Sequence, residues 1–151
     1  MWGTYTMSRL LAHTLLLVLL TIATLAAAQE PSTVGGRLDQ GGVQLSKAEL
    51  LQTHSKATMI GVQRGTGAKF RNLVTPDGKI KGSAILANGR NVDVFANWTV
   101  ADNGEFQGEY QNSPGNRWES NAYYFRLGQR YFTALTIDRN ADVREMMIER
   151  H

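Results

Sequence analysis

Histidine is the residue most often used as a general base, and two histidines follow the apolar N-terminal segment of this chain. His54 comes at the end of a predicted helix and His151 is the last residue. A hydrolase also needs a nucleophile and an orienting acid, and the sequence places neither beside either histidine. His54 is therefore interpreted as a residue that favours a helix C-terminus. An enzyme that depends on His54 is the alternative.

Carboxylates are the other residues that could do chemistry. Glu105 and Glu109 share one face of a predicted strand, about 13 Å apart at the strand rise, which is too far for a retaining glycosidase pair. Asp102 and Asn103 could add oxygen ligands for a cation, but Asp-Asn-Gly is first a turn signature. The chain has no twelve-residue calcium loop. We expect no catalytic set, no metal site and no cofactor.

Cysteine is absent from the chain, which excludes thiol catalysis, haem attachment through cysteine and cysteine-ligated zinc. Without residues 1–28 the chain keeps every acid and all but one basic residue, so its net charge is +2. That charge is too small to indicate a nucleic-acid partner.

The N-terminal segment has the pattern of a secretory signal peptide. Arg9 and His13 precede an apolar run over residues 15–25, and Ala26-Ala27-Ala28 supplies the small residues of a cleavage site. The run is short for a membrane span, which needs about 20 apolar residues. We predict a signal peptide over residues 1–28, starting at Met1 or Met7, and a periplasmic or secreted protein that is not integral to the membrane after cleavage. A retained anchor is the alternative.

Two segments follow. Residues 29–44 contain Pro31, Ser32, Thr33 and four glycines, which is typical of a flexible leader. Residues 45–151 are predicted to form a single β domain. It opens with a capping box, in which Ser46 and Glu49 satisfy backbone N–H groups of one helical turn, and this predicts a helix over residues 47–53.

Beyond residue 54, turn signals recur between short runs rich in Val, Ile, Thr and aromatic residues. This spacing predicts a mainly β fold: an antiparallel up-and-down meander or small barrel of seven or eight strands, with one short N-terminal helix. The last strand would come from residues 143–148, a segment that also tolerates helix.

The registers of the hairpins follow from the positions of the turns. A three-residue loop at residues 102–104 places the apolar side chains of both flanking strands on one face, with these pairs opposite one another: Val100 and Phe106, Trp98 and Gly108, Ala96 and Tyr110. Trp98 is expected to lie across Gly108. The loop at residues 76–78 likewise pairs Val74 with Ile80 and Asn72 with Gly82, and a loop at residues 88–90 would pair Leu86 with Val92.

The first of the two candidate sites is a basic face. Residues 64–90 carry a net charge of +5, whereas residues 93–119 carry −4. The registers place four basic side chains on the outer face of one hairpin: Lys69, Arg71, Lys79 and Lys81. This face is either a solvated surface or a patch for an anionic partner.

The second candidate is an aromatic pocket. The later strands are rich in aromatic side chains, and an aromatic-lined barrel mouth could hold a small apolar ligand. The residues that would line it are Trp98, Tyr110, Trp118 and Tyr124.

Five features together resemble a family of small exported proteobacterial proteins known only as a domain of unknown function. They are the signal peptide, "LSKAEL", "TPDGKIKG", "NWTVADNGEF" and "YYFRLGQRYF", and they cover residues 45–135 apart from the signal peptide. The resemblance implies periplasmic export and a compact β domain, and it implies no catalytic residue. Members of that family often carry a cysteine pair, which this chain lacks.

The leading hypothesis is therefore a non-enzymatic binding or accessory protein of the cell envelope. Its partner would be an anionic envelope component or another exported protein. One alternative is an inhibitor of a secreted hydrolase, with the turns at residues 64–68 and 113–116 as reactive loops. The other alternative is a barrel that binds a small ligand.

Overall fold

The computed structural model describes residues 30–113 and 115–151, so the predicted signal peptide lies outside the described residues. The described part contains two helices and nine strands. They are α1 (Val34–Asp39), β1 (Val43–Gln44), α2 (Lys47–His54), β2 (Ala57–Val62), β3 (Lys69–Thr75), β4 (Lys79–Ile85), β5 (Asn91–Val100), β6 (Glu105–Asn112), β7 (Arg117–Leu127), β8 (Arg130–Ala134) and β9 (Arg144–Arg150).

Eight of these strands form a closed antiparallel barrel. Each strand from β2 to β8 pairs with the next along the chain, and β9 pairs back onto β2 to close the ring. The short β1 pairs with the C-terminal end of β7 as an extra strand. The predicted mainly β fold of seven or eight antiparallel strands is confirmed. The last segment is the strand β9 and not a helix.

Strict alternation along the strands gives the barrel its interior. In β5 every second side chain is buried, from Val92 to Val100, and the residues between them are exposed. The same alternation in the neighbouring strands builds one core that fills the barrel with Met59, Val74, Ile80, Trp98, Phe106, Tyr124 and Tyr131. At about 25 cal/mol per Å² of apolar surface, this burial is the main stabilising term of a domain without disulfides.

The predicted hairpin registers can be compared with the observed pairs. Val100 lies opposite Phe106, and Val74 lies opposite Ile80, as predicted. The third register is wrong by two residues, because Val92 pairs with Ala84 and not with Leu86. The turn there is one position earlier than predicted, since Leu86 donates its N–H to the Arg90 carbonyl. A shift of two residues keeps every side chain on its face, so the apolar pattern alone cannot detect the error.

Trp98 does not lie across Gly108. A Cβ at Gly108 would collide with the ring of Tyr110, which leans back along its own strand. Trp98 instead stacks on Phe106 and donates its Nε1–H to the Thr75 carbonyl at 3.1 Å. The register was right, but it does not fix the direction in which a ring leans.

Helix α2 closes one end of the barrel. Its N-terminus carries the predicted capping box, with the Ser46 hydroxyl accepting from the Glu49 N–H and the Glu49 carboxylate accepting from the Ser46 N–H. Leu50 and His54 project one turn apart from α2 into the core and are fully buried. The predicted helix is confirmed, one residue longer than expected.

The flexible leader predicted for residues 29–44 is wrong where the structure describes this segment. It contains α1, capped by Thr33, whose hydroxyl accepts from the Gly36 N–H at 3.2 Å. Val34 is fully buried in a second small core outside the barrel, against Phe125 and Phe132 on the outer face of β7 and β8. Because those two rings point away from the barrel interior, they need a cover, and the segment predicted to be flexible provides it.

Candidate binding face

The four predicted basic residues lie together on the outer face of β3 and β4, and all four are exposed. Lys69 and Arg71 alternate along β3 with buried neighbours, and Lys79 and Lys81 do the same along β4. Lys79 stands opposite Thr75, and Lys81 stands opposite Leu73. The hairpin geometry therefore presents a basic face to solvent, as the registers predicted.

The four cations differ in what they contact. Arg71 Nη2 forms an ion pair with Glu149 Oε2 on β9 at 2.8 Å, and Lys79 Nζ donates to Asn97 Oδ1 on β5 at 2.7 Å. Within the described part of the chain, Lys69 and Lys81 have no ion pair or hydrogen bond from their ammonium groups. These two lysines are the cations of the face that are available to a partner.

Acids near the face offset only part of this charge. The pKa of Asp77 at the β3–β4 turn is lowered, chiefly by a hydrogen bond from the Thr75 hydroxyl, with a smaller contribution from Lys79. Asp93 lies on the outer face of β5 opposite Ser83, which is two residues along β4 from Lys81. Glu149 is already paired with Arg71.

The four residues of the predicted aromatic pocket form two pairs that meet in the barrel interior, because Tyr110 also packs against the core that holds Trp98 and Tyr124. Tyr110 and Trp118 stack with their ring centroids 5.4 Å apart, and burial raises the pKa of Tyr110 to about 12. Trp98 stacks on Phe106 at 5.5 Å, and Tyr124 donates its hydroxyl to the Met59 sulfur. The side chains of both pairs pack into the barrel cores, and they do not converge on one cavity.

His54 lies inside the barrel among aromatic rings. Its ring centroid is 4.7 Å from that of Tyr124 and 5.1 Å from that of Phe106. Nδ1 lies 3.0 Å from the Leu50 carbonyl and must carry the proton, because a carbonyl only accepts. Nε2 is buried, with no hydrogen-bond partner among the described residues. Burial lowers the pKa of His54 to about 4, so the ring is neutral at pH 7 and is out of reach of a substrate.

His151 has a partner that the sequence did not predict. Its Nε2 lies 2.7 Å from the Thr58 hydroxyl at the seam between β2 and β9. A hydroxyl and an imidazole resemble two members of a nucleophilic triad, but in the described chain no acid is hydrogen-bonded to the other ring nitrogen. The pair therefore serves to hold the chain end against β2.

The first of the two predicted reactive loops is held in place by its own arginine. Arg64 Nη2 donates to the Thr133 carbonyl at 2.7 Å and to the Asp142 carbonyl at 3.1 Å. An arginine held in this way cannot also insert into the active site of a hydrolase. The inhibitor hypothesis gains no support from this loop.

Two features of the outer surface were missed. Glu109 and Glu119 stand directly opposite one another in a shallow depression of about 330 Å³ on β5–β7. The register across the β6–β7 turn would have revealed this pair.

Leu73 and Phe95 occupy outward positions beside the basic residues, where the alternation predicts polar side chains. Their apolar character at those positions was a signal visible in the sequence.

The described part of the chain, residues 30–113 and 115–151, contains neither a cluster of metal ligands nor a helix that could span a membrane. Within these ranges no three His, Asp or Glu side chains form a group that could hold a metal ion. Asp102, one of the possible ligands in the sequence, is paired with Lys47 at 2.7 Å. Neither helix in these ranges is long and apolar enough to cross a membrane.

Comparison with known proteins finds no matching family model, no matching curated protein and no matching solved structure. The resemblance to exported proteobacterial domains therefore stays a prediction. The site has to be interpreted from its own geometry.

Proposed function

We propose that this chain is an exported, non-enzymatic binding protein of the cell envelope, and that its basic face binds an anionic partner. The observation that carries the proposal is the state of Lys69 and Lys81, which are exposed and unpaired within the described chain. Each lies two residues along its strand from a second cation, Lys69 from Arg71 and Lys81 from Lys79, and an anion would offset this concentration of positive charge. Their retention on one face is explained by a partner that supplies that anion.

The packing of the barrel interior favours a binding site on the outer surface over one inside the barrel. Trp98, Phe106 and Tyr124 pack around His54 at the α2 end, and Tyr110 stacks on Trp118 nearer the other end. Side chains thus occupy the space where a barrel of this size would hold a ligand. Recognition is left to the outer face.

Charge reversal of the two unpaired lysines tests the proposal. We expect Lys69→Glu with Lys81→Glu to abolish binding to anionic polymers such as dextran sulfate, because the face then repels them. The free energy of unfolding should change by less than about 0.5 kcal/mol, since both side chains are exposed. Binding of the wild type should weaken strongly between about 150 and 500 mM salt, where the Debye length falls well below about 8 Å. Polymer binding is measured by calorimetry and stability by urea denaturation.

Lys56 and Arg117 supply the matched control. Both are exposed, with Lys56 just beyond α2 and Arg117 at the start of β7, and their replacement by Glu changes the net charge by the same amount without touching the basic face. This control should bind nearly as tightly as the wild type. Equal loss of binding in both double variants would mean that only net charge matters, and the proposed site would be wrong.

Export makes a prediction of its own. The protein recovered from the periplasm or medium of bacteria that express the whole chain should begin at Gln29, because cleavage after Ala28 fits the A-x-A pattern. Intact-mass spectrometry measures this directly. Changing Ala26 and Ala28 to bulky residues should leave the precursor uncleaved, whereas changing Ala27 should have little effect. A wild-type chain found only in the cytoplasm at full length would contradict export.

A further inference from the structure

Large apolar side chains flank both unpaired lysines of the basic face. Lys69 on β3 has Val62 on β2 on one side and Ile85 on β4 on the other. Lys81 on β4 is placed in the same way, between Leu73 on β3 and Phe95 on β5. Neighbouring strands lie about 4.8 Å apart, so each lysine stands directly between two apolar neighbours.

These four side chains are unusually exposed for their type. Val62, Leu73, Ile85 and Phe95 have between 43% and 52% of their surface accessible. Single exposed apolar residues are common, but these four occupy two outward rows of one face, on either side of the row formed by Arg71, Ser83 and Asp93. We call the six residues of the two triplets the basic–apolar face: Val62, Lys69, Ile85, Leu73, Lys81 and Phe95.

The chemistry of this face indicates which anionic partner it suits. A soluble polyanion would use the lysines and gain nothing from the apolar side chains. A second copy of the chain would bury the apolar side chains but would bring lysines against lysines. The surface of an anionic lipid bilayer uses both groups at once, because it offers phosphates above a layer of acyl chains.

Resting on the proposed function, we infer that the basic–apolar face seats the barrel on the surface of an anionic lipid bilayer. Leu73 and Phe95 insert between the headgroups, and Lys81 between them extends its ammonium to a phosphate while its methylenes stay in the apolar layer. Val62, Lys69 and Ile85 repeat this arrangement about 13 Å away, at four residues of strand rise. The barrel lies on the membrane and does not enter it.

Two double variants separate the charged and apolar parts of the face. The protein is used as recovered from expressing cells, with its N-terminus defined by mass spectrometry so that all variants match. Leu73→Ser with Phe95→Ser should lower partition onto phosphatidylglycerol vesicles at least about tenfold, and should leave binding to dextran sulfate unchanged. Lys69→Glu with Lys81→Glu should lower binding to both, on the vesicles by more than about a hundredfold. Leu135→Ser with Ile137→Ser, in an equally exposed loop, is the control and should change neither.

Insertion itself can be followed by fluorescence. In a Phe95→Trp variant the emission of the added indole should shift to the blue on phosphatidylglycerol vesicles, but not on dextran sulfate or on purely zwitterionic vesicles. Leu135→Trp, in the control loop, should show no shift. Each variant is compared with the wild type, whose native tryptophans supply the background.

The outcomes distinguish the inference from the proposed function. If neither vesicles nor dextran sulfate bind the wild type, the proposed function fails. If both bind and the Leu73/Phe95 double variant binds vesicles as tightly as the wild type, the basic face recognises anions but the lipid inference is overturned. Sedimentation that shows a stable dimer lost in the Leu73/Phe95 variant would also overturn it, in favour of a second copy.

Discussion

Acidification from pH 7 to pH 5 should destabilise this protein by about 2 kcal/mol through His54 alone, and by about 3 kcal/mol at pH 4 and below. Burial among Trp98, Phe106 and Tyr124 lowers the pKa of His54 from 6.5 to about 4. Well above pH 6.5 the ring is neutral in both the folded and the unfolded chain, so it makes no contribution to the pH dependence there. Below pH 6.5 His54 is protonated in the unfolded chain but stays neutral in the folded chain, so the free energy of unfolding falls until the pH reaches about 4.

The measurement is urea denaturation at pH 7 and at pH 5, a range chosen to lie above the titration of most carboxylates. His54→Phe keeps a ring in the cavity and should remove about 2 kcal/mol of the decline. His54→Leu provides a second replacement in case the larger ring disturbs α2. His151→Ala removes the other histidine of the described chain, so comparing it with the His54 variants isolates the effect of His54. If wild type and both His54 variants lose the same stability between pH 7 and pH 5, His54 is not the titrating group.

The second large effect is expected at α1. Val34→Asp should destabilise the protein by about 3 kcal/mol or more, because it places a buried carboxylate in the apolar contact with Phe125 and Phe132. Undocking of α1 can limit the cost, but it exposes both rings. The variant should therefore also be cut by proteases within residues 30–43, where the wild type resists.

Ser32→Asp is the matched control for this substitution. It introduces the same charge two residues earlier, at an exposed position just before the N-cap Thr33, where a carboxylate favours the helix dipole. The midpoint of thermal unfolding should stay within about 2 °C of the wild type. A wild-type melting curve and wild-type protease resistance in Val34→Asp would show that α1 does not cover the barrel.

The strands were predictable because their information is local. Alternation places Val94, Ala96 and Trp98 on one face, and a glycine in the left-handed region marks the turns of the earlier hairpins, as Gly104 does with φ of 80°. The capping box of α2 is equally local, since Ser46 and Glu49 are three residues apart. These signals determine the fold class, two of three hairpin registers and the orientation of the basic face.

What the sequence could not supply depends on contacts between distant parts of the chain. The helix α1 has six residues, two of them glycines, and forms only because Val34 finds Phe125 and Phe132, about 90 positions later. His54 likewise lies in the interior because α2 closes one end of the barrel. No local sequence pattern predicts that position for α2. The packing of the four supposed pocket residues into the core also depends on the orientations of the Trp98 and Tyr110 rings, which register does not determine.

Closure of the barrel also determines the order in which its strand pairs form during folding. The β2–β9 seam joins strands from opposite ends of the domain, and the Thr58–His151 hydrogen bond beside it spans 93 positions. Every other pairing within the barrel joins consecutive strands, and such local hairpins form faster than long-range pairs. The seam should therefore form last, and until then β2 keeps a free edge that can pair with a strand of another chain. Aggregation during synthesis thus depends on the time between the formation of β2 and its pairing with β9. A chaperone or pore that holds the chain extended until β9 has emerged would remove that interval.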